Sequence, residues 1–168
     1  RLSKRGFNGN DQHLRMASRL ESRAILALGS NLGDKEANLN QCISLIGEKI
    51  GRVTSISDYY KNDPVDFESH HEFINMCIEI STSLPPLELL NVIKSIEIDM
   101  GRVKTISSYE DRIIDIDIIL YNELVMDKKD LIIPHPEYKR RDFVLSPMNQ
   151  IGEYLDPQVF LSCGQLLK

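Results

Sequence analysis

Two strand-like runs follow one another in this sequence with no helix between them, and that succession excludes most α/β architectures. Val53 to Tyr60 mixes β-branched and aromatic residues, and Phe73 to Ser81 alternates apolar and polar positions. Between them, Lys61 to Glu72 holds a proline, few aliphatics and the adjacent pair His70-His71, the composition of a long solvated loop. Parallel neighbours in a sheet are usually joined through a helix, and the composition of this connection shows none. The two runs therefore pair antiparallel or cross at a distance, and a doubly wound parallel sheet is ruled out.

The rest of the chain fits around that constraint. Ala24-Ile25-Leu26-Ala27-Leu28 is a buried strand ended by the turn signal Gly29-Ser30-Asn31. Asp34 then caps a helix, because Leu39, Cys42, Ile43, Leu45 and Ile46 fall at helical spacing until Gly51 closes it. Pro85-Pro86 opens a second helix, proline being tolerated in the first turn. Its apolar positions Leu89, Leu90, Ile93 and Ile96 continue to Met100, where Gly101 stops it. Arg102 to Arg112 is a second long polar loop, and Ile113 to Tyr121 is a strand. Asn122-Glu123 turns into Leu124-Val125-Met126, and Leu131-Ile132-Ile133 is a last short strand before Pro134-His135-Pro136. The order β-α-β-β-α-β-β plus a short tail predicts an α+β chain with a ferredoxin-like βαββαβ core and a mainly antiparallel sheet.

At 168 residues, 42% hydrophobic and 27% charged, one globular domain is expected over 23–168. Residues 1–22 show neither period and read as a disordered extension or expression-tag remnant, with Met16 a possible start. The net charge of −5 hides a split: residues 1–23 carry +4 and the remainder −9. An acidic body of that kind is a poor partner for nucleic acid. Cys42, Cys77 and Cys163 are odd in number and widely spaced, with no metal-ligand partner, so reduced buried thiols are expected. No run approaches the roughly 18–20 apolar residues of a membrane span, and no secretory signal is evident. These features predict a soluble cytoplasmic protein that binds neither membrane nor nucleic acid.

The strongest chemical signal is Arg112-Ile113-Ile114-Asp115-Ile116-Asp117-Ile118-Ile119. On a strand Asp115 and Asp117 share one face and the isoleucines the other, with the two Cα atoms roughly 6.6 Å apart. Carboxylates so placed repel each other and lose hydration, costs that a hard cation such as Mg²⁺ relieves. A solvated polar face is the alternative, since D-x-D alone is a weak motif. Lys94, Arg102, Lys104, Arg112, Lys139, Arg140 and Arg141 come from segments flanking this strand, and in an acidic body they suggest a polyanion held against metal. No GxxxxGK[ST] is present, so a P-loop is excluded. His135, fixed between two prolines, offers a rigid imidazole that either donates to phosphate or merely sits in a turn.

Several motifs occur in order: Leu28-Gly29-Ser30-Asn31-Leu32; Tyr59-Tyr60 through Pro64; Phe73-Ile74-Asn75; Leu89-Leu90 to Ile96-Glu97; Gly101-Arg102-Val103; Arg112-x-x-Asp115-Ile116-Asp117-Ile118-Ile119; Pro134-His135-Pro136; and Arg141-x-Phe143-Val144-Leu145. Together, over about residues 24–148, they resemble the 6-hydroxymethyl-7,8-dihydropterin pyrophosphokinase family of folate biosynthesis. The resemblance implies a ferredoxin-like αβα fold with helices on both faces, and transfer of pyrophosphate from ATP to the pterin hydroxymethyl with release of AMP. It implies that Asp115 and Asp117 hold two Mg²⁺ ions, and that Arg102 and Arg112 neutralise charge in the transition state. It assigns the pterin to Phe73, Phe143, Asn75, Asn62, Asp63 and Val65. The ATP side falls to Lys94, Glu97, Lys104, Tyr109, Ile118, His135, Lys139 and Arg141. The two long loops are then expected to act as lids.

One element departs from the family pattern. Ser108-Tyr109-Glu110-Asp111 stands where the family has a basic residue, an aromatic and Gly-Pro before the signature arginine. This change keeps a non-catalytic pterin- or nucleotide-binding module open as the alternative, with a Mg²⁺-dependent nuclease disfavoured by the −9 body. A monomer or weak homodimer is expected.

Overall fold

A computed structural model describes residues 21–62, 72–102 and 111–168, Asn62 by its backbone alone. Strand β1 (Ser22–Ser30) leads into helix α1 (Lys35–Lys49), where the Asp34 side chain accepts the Ala37 N–H at 3.0 Å. Strands β2 (Gly51–Ile56), β3 (Tyr60–Asn62) and β4 (Phe73–Thr82) follow, then α2 (Pro86–Asp99) and β5 (Asp115–Tyr121). A small ribbon of β6 (Met126–Asp127) and β7 (Ile132–Ile133) precedes a 3-10 turn (Tyr138–Arg140) and helices α3 (Asp142–Ile151) and α4 (Cys163–Leu166).

The main sheet runs β2-β4-β1-β5, with β3 also paired to β4, and every pairing is antiparallel. This is the ferredoxin-like order: β4 lies between β1 and β2, and β1 lies between β4 and β5. Right-handed crossovers then carry α1 and α2 over the same face. Alternation along β1 separates two cores. Ala24, Leu26 and Leu28 pack with Leu39 and Ile46 of α1 and with Leu89, Ile93 and Ile96 of α2. Ile25 and Ala27 pack with Val144, Leu145 and Met148 of α3 and with Tyr138, Tyr154 and Cys163. The stretch Ala24 to Leu28, apolar at every position, must be covered on both sides, and α3 supplies the second cover.

Helix α3 lies in what the sequence reading leaves as a short tail. Val144, Leu145 and Met148 carry its period, but Pro147 sits inside the helix, a residue that normally signals a break. The run Val53 to Tyr60 is not one strand. The β2–β4 register shifts between Val53 and Ser55, and Ser57 then exchanges bonds with Cys77 through its N–H (3.0 Å) and Oγ (2.9 Å). Strand β5 starts at Asp115 rather than Ile113, and β1 at Ser22 rather than Ala24. The loops expected at 61–72 and 102–112, including His70-His71, fall mostly outside the described residues. All three cysteines are free and buried, and no described helix is long and apolar enough to cross a membrane.

Strand β5 contains a bulge. Ile25 opposes Leu120 while Leu26 opposes Ile118, so the register skips Ile119. The carbonyl of that extra residue accepts the His135 N–H at 3.0 Å, which anchors the Pro134-His135-Pro136 segment beside the aspartates.

Candidate active site

The floor of the site is built from alternation and register. Ile116 and Ile118 lie in the α1/α2 core, so Asp115 and Asp117 project to the opposite face of β5. Pairing sets two rows across three strands, Asn75–Gly29–Asp115 and Cys77–Ala27–Asp117. The central residue of each row is small. A Cβ on Gly29 would come within 2.7 Å of Asn75 Oδ1 and 3.7 Å of Phe73 Cδ1. The glycine therefore leaves the room in which the Asn75 amide and the Phe73 ring stand.

Cations converge on the carboxylates. Arg102 Nη1 lies 3.0 Å and Arg112 Nη1 3.3 Å from the same oxygen, Asp115 Oδ1. Arg102 also pairs with Glu97, which is buried on α2 and accepts the Ile116 N–H at 3.2 Å through its other oxygen. Glu97 thus ties the end of α2 to the edge of β5 and holds Arg102 over it. Burial and the neighbouring Asp115 carboxylate push Asp117 up to about 7, against the opposing pull of Arg141, Arg112 and Arg102.

His135 sits with Nε2 3.9 Å from Asp117 Oδ2. Its Nδ1 accepts the Glu137 N–H at 3.1 Å, so the neutral ring carries its proton on Nε2, toward the site. Burial, with the Arg141 charge, lowers its pKa to about 4, which keeps it neutral at pH 7.

On the other flank, Phe73 and Asn75 share the face of β4 that Cys77 presents to α3. Asn62 stands opposite Phe73 in the β3–β4 pair. Phe143 opens α3, half-buried against the second core, with the Arg141 guanidinium 5.7 Å from its ring centroid.

Other expected residues sit elsewhere. Lys94 is exposed on α2, three residues before Glu97 and so on the same side of the helix. The Ile118 side chain is 4% exposed in the α1/α2 core and faces away from the aspartates. Its backbone is in phase with Ile116, whose N–H points off the sheet edge to Glu97, so backbone groups are what it offers there. Lys139 is tied into the tail, 3.2 Å from the fully buried Asp156 carboxylate and 5.3 Å from the Tyr138 ring centroid. Asp63, Val65, Lys104 and Tyr109, with the Asn62 side chain, lie outside the described residues. The sequence reading did not assign Gly29, Ala27 or Asn31 to the site. Small residues inside an otherwise bulky strand were the available signal for the first two.

Among the described residues, no three His, Cys, Asp or Glu side chains converge as a metal cage. Two carboxylates on one strand face suit Mg²⁺ nonetheless. That ion takes one or two protein carboxylates and fills its octahedron with waters and substrate phosphates. The donor set therefore fits a metal that arrives with a polyphosphate.

Comparison with known proteins gives the family and the fold. The family model for 7,8-dihydro-6-hydroxymethylpterin-pyrophosphokinase (HPPK) matches residues 25–153. The chain is 39% identical over 136 residues to the 2-amino-4-hydroxy-6-hydroxymethyldihydropteridine pyrophosphokinase of Bacillus subtilis, covering 80% of this chain and 81% of that one. It is 41% identical over 142 residues to the folic acid synthesis protein FOL1 of Dictyostelium discoideum, covering 84% of this chain but only 21% of that longer protein. The wild-type HPPK-DHPS structure from Plasmodium falciparum superposes with a TM-score of 0.69 at 17% identity, over 88% of this chain and 44% of that one, which establishes the shared fold. The chain belongs to the 7,8-dihydro-6-hydroxymethylpterin-pyrophosphokinase family.

Proposed function

We propose that this chain transfers the terminal pyrophosphoryl group of ATP to the hydroxymethyl oxygen of 6-hydroxymethyl-7,8-dihydropterin, releasing AMP, as a step of folate biosynthesis. The observation that carries this reading is the two adjacent rows Asn75–Gly29–Asp115 and Cys77–Ala27–Asp117, which set an amide suited to a heterocycle edge and two carboxylates on one floor. The hydroxyl oxygen forms a bond to the β-phosphorus, the bond from that phosphorus to the α-phosphate oxygen breaks, and the hydroxyl proton leaves to solvent. Such a transfer needs positioning and charge stabilisation rather than a covalent intermediate.

The chain's own residues divide that work. Asn75 reads the pterin edge and Phe73 and Phe143 cover its faces, with Asn62, Asp63 and Val65 contributing mainly backbone bonds. Arg102 and Arg112 hold charge that grows on the transferring group. The neutral His135 donates from Nε2 to phosphate. Arg141, Lys94, Glu97, Lys104, Tyr109, Lys139 and the Ile118 backbone form the ATP side. Mg²⁺ ions on Asp115 and Asp117, two by our reading, supply neutralisation of the triphosphate when bound. The chain works as a monomer or weak dimer in the cytoplasm, where its small substrates are.

Metal titration tests the assignment. Turnover falls to background after chelation, returns with added Mg²⁺, and is abolished in Asp117→Ala with the fold intact. Turnover without a divalent cation contradicts it.

A further inference from the structure

The β1–β5 ladder ends at the pair Gly29 and Asp115, yet the chain entering β5 is held further out by one side chain. Asn31, 1% exposed, lies just beyond β1. Its N–H donates to the Arg112 carbonyl at 3.2 Å and its Oδ1 accepts the Arg112 N–H at 2.6 Å. Its Nδ2 donates to Asp111 Oδ1 at 2.5 Å. Both backbone polar groups of Arg112 are therefore fixed by a single residue, whose amide replaces the strand pair that has run out. A primary amide carries its acceptor and its donors on two separate atoms, which here serve the Arg112 N–H and the Asp111 carboxylate. The mount is itself braced, because Asn38 Nδ2 on α1 donates to Leu32 O at 2.8 Å and to Ser30 Oγ at 3.2 Å. Strand β5 does not need this clamp to stay in place, since Ile114 is fully buried in the helix-side core. The clamp instead sets where residues 111 and 112 lie, and the Arg112 guanidinium reaches Asp115 from there.

We propose that Asn31 is a positioning residue for the transfer: with Asp111 as its partner, it fixes the backbone from which Arg112 meets the developing charge. This rests on the pyrophosphokinase reading above. A fault here changes kcat, because Arg112 acts on the transition state, and leaves pterin binding at Asn75 alone.

An isosteric swap tests it. Asn31→Asp sets an oxygen against Asp111 Oδ1 in place of a donor, and the double variant Asn31→Asp/Asp111→Asn restores the pair with its roles reversed. In the single variant kcat falls about tenfold or more, while KM for the dihydropterin stays within about twofold. In the double variant kcat recovers to within about threefold of wild type, and exchange of the Arg112 amide hydrogen, quickened in the single variant, slows again. Unchanged amide exchange or unchanged kcat in Asn31→Asp overturns the proposal, as does a kcat that the double variant fails to restore. A wild-type chain without turnover defeats the pyrophosphokinase reading instead, and the amide exchange still decides the clamp.

Discussion

Asn75 and Asp115 stand on either side of Gly29, in register across three adjacent strands. Neighbouring strands lie about 4.8 Å apart, so the two backbones are separated by about 10 Å. That span suits the roles proposed for the two residues, one at each end of a small substrate with a flat heterocycle and a polyphosphate.

Gly29→Ala acts on this relationship. The new methyl meets the Asn75 amide at 2.7 Å, and because that atom ends a side chain, the amide moves and the sheet survives. KM for the dihydropterin rises about tenfold, the cost of one lost amide–heterocycle hydrogen bond, while KM for ATP stays near its wild-type value. Steady-state kinetics with each substrate varied in turn checks this. Equal rises in both constants contradict it.

On the metal assignment proposed above, the Asp117 carboxyl gives Mg²⁺ binding a pH dependence. Its folded-state pKa is raised from 3.8 to about 7, so between those values the folded chain holds the extra proton. The stability it contributes is full below the lower value and is lost as pH rises through about 7. A divalent cation binds the ionised form, so Mg²⁺ affinity climbs with pH up to about 7 and then levels off, and binding at pH 6 expels a proton. Calorimetry in two buffers of different protonation heat measures the release, which Asp117→Asn removes. Affinity independent of pH below 7 contradicts the assignment.

His135 runs with the opposite sign. Its pKa falls from 6.5 unfolded to about 4 folded, so the unfolded chain binds more protons between those values and stability drops as pH falls through that window. His135→Gln loses less stability than wild type on the same descent, measured by thermal melts from pH 7 to pH 4. Identical curves show that the ring is not held neutral.

Asp156 secures the tail that carries Lys139. Its buried carboxylate accepts the Tyr138 hydroxyl at 2.6 Å and the Gln158 and Val159 N–H groups at 2.7 and 3.0 Å, beside the Lys139 ammonium. Burial raises its pKa, but these bonds outweigh that and hold the carboxyl below its ordinary value. Asp156→Ala strands the ammonium and the hydroxyl and lowers stability by about 3 kcal/mol, read from urea unfolding. An unmoved midpoint contradicts the tie.

Strong periodicity made the core legible: the Leu39–Ile46 and Leu89–Ile96 stripes and the alternation at Asp115 and Asp117 each point to one element and one face. The sandwich itself was less so. Pro147 masks the helix that covers the second face, although the run Ala24 to Leu28, apolar at every position, already required such a cover. The Lys139–Asp156 tie joins segments that show no local pattern, so Lys139 reads in sequence as a free cation. Asn31 and Gly29 look like a turn, and their roles come only from register against β5 and β4. Ile118 sits in the same motif as the aspartates, but the strand's alternation turns its side chain into the core.

The central claim is tested most directly by identifying the products. The chain is incubated with Mg²⁺, 6-hydroxymethyl-7,8-dihydropterin and ATP labelled at the β- and γ-phosphorus. The account predicts AMP in equal amount to a pterin carrying both labels. ADP with a singly labelled pterin, or no nucleotide turnover, would contradict it.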